Sequence, residues 1–187
     1  MMEDINMIFL ETDRLLLRNV IIDDVDIMFD YRNNEICSRY QRGQTKTYTG
    51  IEDLVQRRKE DKISVESSFM IAAALKGTNE MIGEIVVMPN ENTFSLGYTF
   101  SYKHHRQGYA FEALTILIDF LHKKFEDWEF ISFTDPKNEA SIGLLIKLGY
   151  KDLGYIPSKE SQVFGKWITE ATEIEFKQAG PEGDTQA

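Results

Sequence analysis

The chain contains a single cysteine, Cys37, so it forms no internal disulfide and offers no thiolate cluster for a metal. Its three histidines, His104, His105 and His122, provide no second ligand pair at zinc spacing. No apolar run approaches the roughly 18–20 residues that a membrane span requires. The start, Met1 to Asn6, is acidic and lacks the basic, then apolar, pattern of a leader. Basic residues are also scarce. Lys and Arg number 21 against 31 Asp and Glu, a formal net charge of −10. Such a surface does not suit nucleic acid or an anionic membrane, both of which need cations to neutralise phosphate. The expectation is a cytoplasmic chain with no metal, no nucleic acid and no membrane partner.

What remains is globular. Hydrophobic residues make up 42% and charged residues 28% of 187 positions, enough to bury one sizeable core and too few for two. No repeat or long linker divides the chain. One domain over residues 1–179 is expected, with a disordered tail over 180–187.

Thr12 to Arg18 reads as a strand. Asp23 or Asp24 is placed to cap a helix reaching Tyr31, and Thr49 to open another reaching about Lys62, with Ile51, Leu54 and Val55 on one side. The polar stretch between them, Asn33 to Tyr48, reads mostly as loop. Phe69–Leu75 and Met81–Val87 flank a polar turn and form a hairpin. Thr93–Phe100 alternates like a third strand, and Gly97 within it suggests a bulge or a close backbone approach. Ala110, Ala113, Leu114, Leu117 and Leu121 keep helical spacing up to Lys124. A strand over Trp128–Thr134, a short helix over Glu139–Leu148 stopped by Gly149, and a hairpin of Tyr150–Tyr155 with Val163–Thr169 complete the order. The strand–turn–helix–strand passage implies one parallel crossover. The predicted class is α/β (α+β): a single mixed, mostly antiparallel, splayed sheet flanked by helices.

The turn His104-His105-Arg106-Gln107-Gly108-Tyr109-Ala110 carries the clearest chemistry. A glycine turn between a strand and a helix start presents unpaired N–H groups at the positive end of a helix dipole, which suits phosphate. Together with Thr12-Asp13-Arg14-Leu15-Leu16-Leu17-Arg18, Leu96-Gly97-Tyr98, and Asn138-Glu139-Ala140-Ser141 followed by Lys147-Leu148-Gly149-Tyr150, it resembles the GNAT N-acetyltransferase superfamily. The likeness is strongest to the branch that includes ribosomal-protein N-terminal acetyltransferases, and it covers roughly residues 9–170.

The resemblance implies acetyl-CoA as cosubstrate and direct acetyl transfer to a primary amine, on a protein N-terminus or a small molecule, by a monomer or homodimer. It implies that Arg106, Gln107, Gly108, Tyr109 and Ala110 surround the diphosphate, with Lys103 adding charge, and that Asn138 touches the pantetheine arm. Gly97 and Tyr98 lie where a backbone N–H would polarise the thioester carbonyl. Two positions depart from the pattern. His105 stands where Gln or Arg begins the phosphate motif, and Leu145 stands where many members carry a Tyr that protonates the thiolate. Ser141 is the substitute donor by position. Glu84 is the candidate base, since the acidic residue some relatives carry two places before the strand glycine is Ser95 here. An α-amine, with pKa about 7.7–8.0, needs little help from a base, whereas a lysine, with pKa about 10.4, needs much. Asn33 to Lys62 should line the acceptor side. The missing tyrosine leaves a non-catalytic acyl-CoA-binding module as the rival reading.

Overall fold

The computed structural model of the chain describes residues 7–180. Its strands are β1 (Ile8–Glu11), β2 (Leu15–Arg18), β3 (Phe69–Leu75), β4 (Met81–Asn90), β5 (Thr93–Phe100), β6 (Glu129–Thr134), β7 (Lys151–Ile156) and β8 (Ser161–Lys166). The helices are α1 (Val25–Asn33), α2 (Glu35–Ser38), α3 (Tyr48–Arg58), α4 (Tyr109–Lys124), α5 (Glu139–Lys147) and α6 (Glu170–Gln178). All eight strands join one sheet in the order β1-β2-β3-β4-β5-β6-β8-β7. Every pairing is antiparallel except β5–β6. This is the mixed, mostly antiparallel sheet expected.

The parallel β5–β6 ladder lasts only two residues, Thr93 opposite Glu129 and Phe94 opposite Phe130. Aromatic packing holds that end shut: the Phe94 ring lies 4.5 Å from Trp128 and 5.4 Å from Phe130, centroid to centroid. Beyond Phe94 the two strands part. β3, with the run Phe69-Met70-Ile71-Ala72-Ala73-Ala74, is buried on both faces. One core places Leu114, Leu117 and Leu121 of α4 and Leu145 of α5 against Phe69, Ile71 and Ile85. The other places Met28 and Tyr31 of α1 and Ile51 and Val55 of α3 against Met70 and Ala72. α6 covers a smaller cluster of Ile131, Leu153, Ile156 and Val163.

Several elements differ from expectation. β1 is a four-residue edge strand with little burial, so no alternation marked it. α2 is a single turn inside the segment read as loop. The last strand ends at Lys166 rather than Thr169, because Thr169 caps α6 by accepting from the Thr172 N–H. α3 likewise starts one residue early, with Thr47 as its cap in place of Thr49. Gly97 makes no bulge: it pairs with Val86 in unbroken register along β4. Asp24 does not cap α1 with its side chain. It faces Arg18 instead, a fully buried guanidinium whose five N–H groups reach Asp24 Oδ1 and Oδ2, the carbonyls of Asn19 and Asn79, and Asn79 Oδ1. Burial of this ion is tolerable because no donor is left unpaired. Residues 181–187 of the expected tail lie outside the described residues, and Gly180 is buried beside the Tyr155 carbonyl. Among the described residues no helix is long and apolar enough to cross a membrane.

Two core tyrosines tie stability to pH. Burial, reinforced by the Glu84 carboxylate, holds the Tyr31 hydroxyl well above its ordinary value, and burial does the same for Tyr150. The folded chain therefore holds these protons more tightly than the unfolded chain. The stability they contribute is complete below about pH 10 and is lost as pH rises toward the folded-state values. In an alkaline titration, loss of circular dichroism and ionisation of these tyrosines are expected as one transition. Ionisation of both in a chain that stays folded would contradict their burial.

Candidate active site

Where β5 and β6 part, the sheet opens into a cavity of about 1520 Å³. It is larger than the roughly 300–1,000 Å³ of common small-ligand sites and suits a long ligand. Its walls come from the open edge of β5, the α4 and α5 N-termini, and the loop after α2.

The α4 end is built by backbone conformation. Arg106 and Gly108 both have positive φ, 60° and 81°. For Gly108 this is free of steric cost, whereas for Arg106 it stores about 1–2 kcal/mol that the surrounding turn must hold. Gly108 is the N-cap and provides no side chain, so the first N–H groups of α4 have no partner within the helix. Gly108, Tyr109, Ala110 and Phe111 line the cavity, and Arg106 stands beside them. His105 also lines the cavity and anchors the turn: its Nε2 lies 2.8 Å from the Phe100 carbonyl, which can only accept, so this nitrogen carries the proton. Lys103 is drawn off by Asp30 at 2.9 Å and does not reach the cavity.

On the β5 wall, the Tyr98 carbonyl accepts from Gln41 Nε2 at 3.0 Å and the Phe100 carbonyl from Cys37 Sγ at 3.3 Å. These carbonyls face away from β4, and so do the N–H groups of the same residues. A Cβ at Gly97 would meet only Met88 Cε, at 3.8 Å, so the glycine leaves open space at the gap. The Tyr98 hydroxyl lies 2.9 Å from Ser141 Oγ across the gap. Burial raises the Tyr98 hydroxyl above its ordinary value, against the lowering effect of its hydrogen bond with Ser141. Asn138 caps α5 by accepting from the Ser141 N–H at 3.1 Å, which leaves its Nδ2 for the cavity. Leu145 is 2% exposed in the core, while its neighbour Leu144 faces the cavity.

The structure thus gathers Gly97, Tyr98, Arg106, Gly108, Tyr109, Ala110, Asn138 and Ser141 around one cavity. Gln107 and Glu84 are not in its walls. Gln107 directs its carbonyl to Arg14 at 3.0 Å. Glu84 is a correction. It is 2% exposed, with both oxygens held by Arg32 at 2.7 and 2.8 Å, and it also accepts from the Tyr31 hydroxyl and Gln44 Nε2. A carboxylate so enclosed anchors α1 to β4 and does not take a proton from a ligand. Of residues 33–62, only Ile36 and the stretch Arg39 to Arg42 reach the cavity, so α3 is not part of an acceptor wall.

The charge of the site opposes that of the chain. Arg39, Arg42, Arg106, Lys137 and Lys147 line the cavity against two carboxylates, Asp135 and Glu139. In a molecule of net charge −10 this is a cationic recess, suited to a polyanion.

The acetyltransferase (GNAT) domain model matches residues 14–151. The chain belongs to the GNAT acetyltransferase family. Among curated proteins it is similar to the uncharacterized N-acetyltransferase YnaD of Bacillus subtilis, 23% identical over 77% of this chain and 83% of that protein. Its fold is similar to that of a GNAT-family acetyltransferase from Bacillus anthracis, with a TM-score of 0.72, 22% identity, and coverage of 85% of this chain and 96% of that one. It is also similar to RimL, a ribosomal L7/L12 alpha-N-protein acetyltransferase solved in complex with coenzyme A, with a TM-score of 0.71, 15% identity, and coverage of 86% and 97%. In this GNAT chain two features went unread in the sequence: the hydroxyl pair made by Tyr98 and Ser141, and the contact of Arg14 with the glycine turn. Sequence spacing alone does not bring a strand tyrosine to a helix serine.

Removing Glu84 would strand Arg32 as a buried charge. Glu84→Ala is expected to lower the unfolding free energy by about 3–5 kcal/mol, read from urea denaturation. A loss under about 1 kcal/mol would show that the pair is not buried in solution.

Proposed function

We propose that the protein transfers the acetyl group of acetyl-CoA to a primary amine by direct attack within a ternary complex. The observation that carries this reading is the junction of an open strand edge with an uncapped helix N-terminus in a cationic cavity. The donor would lie with its diphosphate at the N–H groups of Gly108, Tyr109 and Ala110, with Arg106 adding charge. Its pantetheine arm would run between β5 and β6, in reach of Asn138. When bound it supplies an activated acetyl carbonyl.

The residues of this chain then serve three needs. The Tyr98 N–H, facing the gap, polarises the thioester carbonyl. The amine nitrogen bonds to the acetyl carbon, the carbon–sulfur bond breaks, and the departing thiolate takes the Tyr98 hydroxyl proton. The ammonium formed on the acceptor loses its proton to water, and Tyr98 regains one from water through Ser141, whose hydroxyl accepts a proton as it passes one on. The raised value of Tyr98 keeps it protonated at neutral pH, so its proton is available there. With Glu84 enclosed, no carboxylate base faces the cavity from β4. That favours an α-amine, about a quarter to a third neutral near pH 7.4, over a lysine side chain, about one part in a thousand neutral. The acceptor is then a protein N-terminus or a small α-amine. The Tyr98–Ser141 pair also supports turnover over the non-catalytic module, because it provides a hydroxyl where Leu145 does not.

Two measurements test this. Acetyl-CoA at about a hundred times its Kd is expected to raise the melting temperature by about 5–10 °C, and Gly108→Asp to abolish the rise. No rise in wild type would remove the donor assignment. Tyr98→Phe is expected to lower kcat by about 100-fold or more, leaving KM for acetyl-CoA nearly unchanged, with a smaller loss for Ser141→Ala. Full activity in Tyr98→Phe would exclude it as the proton donor.

A further inference from the structure

One polar cluster touches the glycine turn from outside the cavity. Arg14, in the turn between β1 and β2, reaches across to α4. Its Nε donates to Glu112 Oε2 at 2.6 Å, its Nη2 lies 2.6 Å from the same oxygen, and its Nη1 donates to the Gln107 carbonyl at 3.0 Å. The guanidinium lies 4.3 Å over the Tyr109 ring. Glu112 Oε1 accepts in turn from the Thr12 hydroxyl at 2.5 Å and the Arg14 N–H at 3.2 Å. Arg14 does not line the cavity.

Two consequences follow from this placement. The Gln107–Gly108 peptide is trans and planar, so its C=O and N–H point in opposite directions. With the carbonyl drawn outward to Arg14, the Gly108 N–H is turned inward. Glu112 also lies in the first turn of α4, where its charge would oppose an anion at the helix end. Arg14 cancels that charge without occupying the anion's place.

We propose that Arg14 is a positioning residue for donor binding, holding the Gln107 carbonyl outward and neutralising Glu112 so that the Gly108 N–H and the α4 N-terminus face the diphosphate of acetyl-CoA. This rests on the donor reading above. As the side chain of Arg14 is 45% exposed, its pair with Glu112 adds little to stability, and its effect should appear in binding.

The test compares two donors by calorimetry, with no acceptor present: acetyl-CoA, and S-acetylpantetheine, which lacks the diphosphate. Arg14→Ala is expected to weaken acetyl-CoA about tenfold or more and to leave S-acetylpantetheine unchanged within about twofold. The unliganded melting temperature should stay within about 4 °C of wild type. Arg14→Lys, which keeps the cation but loses the fork, should recover only part of the loss, and it serves if the alanine variant folds poorly. Equal weakening of both donors would mean general loosening and would overturn the proposal, as would unchanged affinity for acetyl-CoA. Wild type that binds S-acetylpantetheine but gains nothing from the diphosphate would overturn it as well. Failure of wild type to bind either donor would instead remove the donor reading, and the role of Arg14 with it.

Discussion

The active cavity depends on a parallel strand pair that stops after two residues. A longer β5–β6 ladder would close the sheet and leave no place for a ligand arm. The pair is closed at one end by the packing of Phe94, Trp128 and Phe130. At the other end, the β5 carbonyls meet side chains in place of a neighbouring strand: Gln41 at Tyr98, and Cys37 and His105 at Phe100. The Tyr98 and Phe100 carbonyls facing the gap are thereby partnered without closing it. Opening a sheet costs hydrogen bonds, and here side chains from the α2 loop and the glycine turn replace them.

Charge is arranged by a similar division of labour. The chain is strongly acidic, yet some carboxylates are neutralised by partners outside the cavity. Asp24 and Glu84 are buried against Arg18 and Arg32, and Glu112 is held by Arg14 and Thr12. The residues that line the cavity carry the opposite balance. A net charge alone would have suggested a surface made for cations. The local field is set by which ions the fold pairs elsewhere, and it suits a phosphate-bearing ligand.

The same reasoning explains why one sequence departure from the family pattern need not disable the site. Leu145 belongs to the apolar face of α5 and packs in the core, while Ser141, one helical turn earlier, looks across the gap. A hydroxyl reaches this region from β5 through Tyr98. In the proposed mechanism the proton donor and the carbonyl-binding N–H both come from β5, so donor orientation and proton delivery would share one rigid element.

Local pattern was enough to read much of this molecule. The apolar run Phe69–Leu75, the alternation of Thr93–Phe100, the helical spacing from Ala110 to Lys124, and the glycines at 108 and 149 each encode their own conformation, because period and turn chemistry act over a few residues. They placed the main strands, α4 and the glycine turn before it. Short elements with weak patterns, β1, α2 and α6, were not legible, since packing rather than propensity stabilises them. Nor were the roles of polar residues far apart in sequence. Nothing in the order of residues shows that Glu84 meets Arg32, that Asp24 faces Arg18 and not its helix end, or that Arg14 reaches Gln107. Those outcomes depend on which face of the sheet each side chain occupies and how far two strands separate, and only the folded chain decides them.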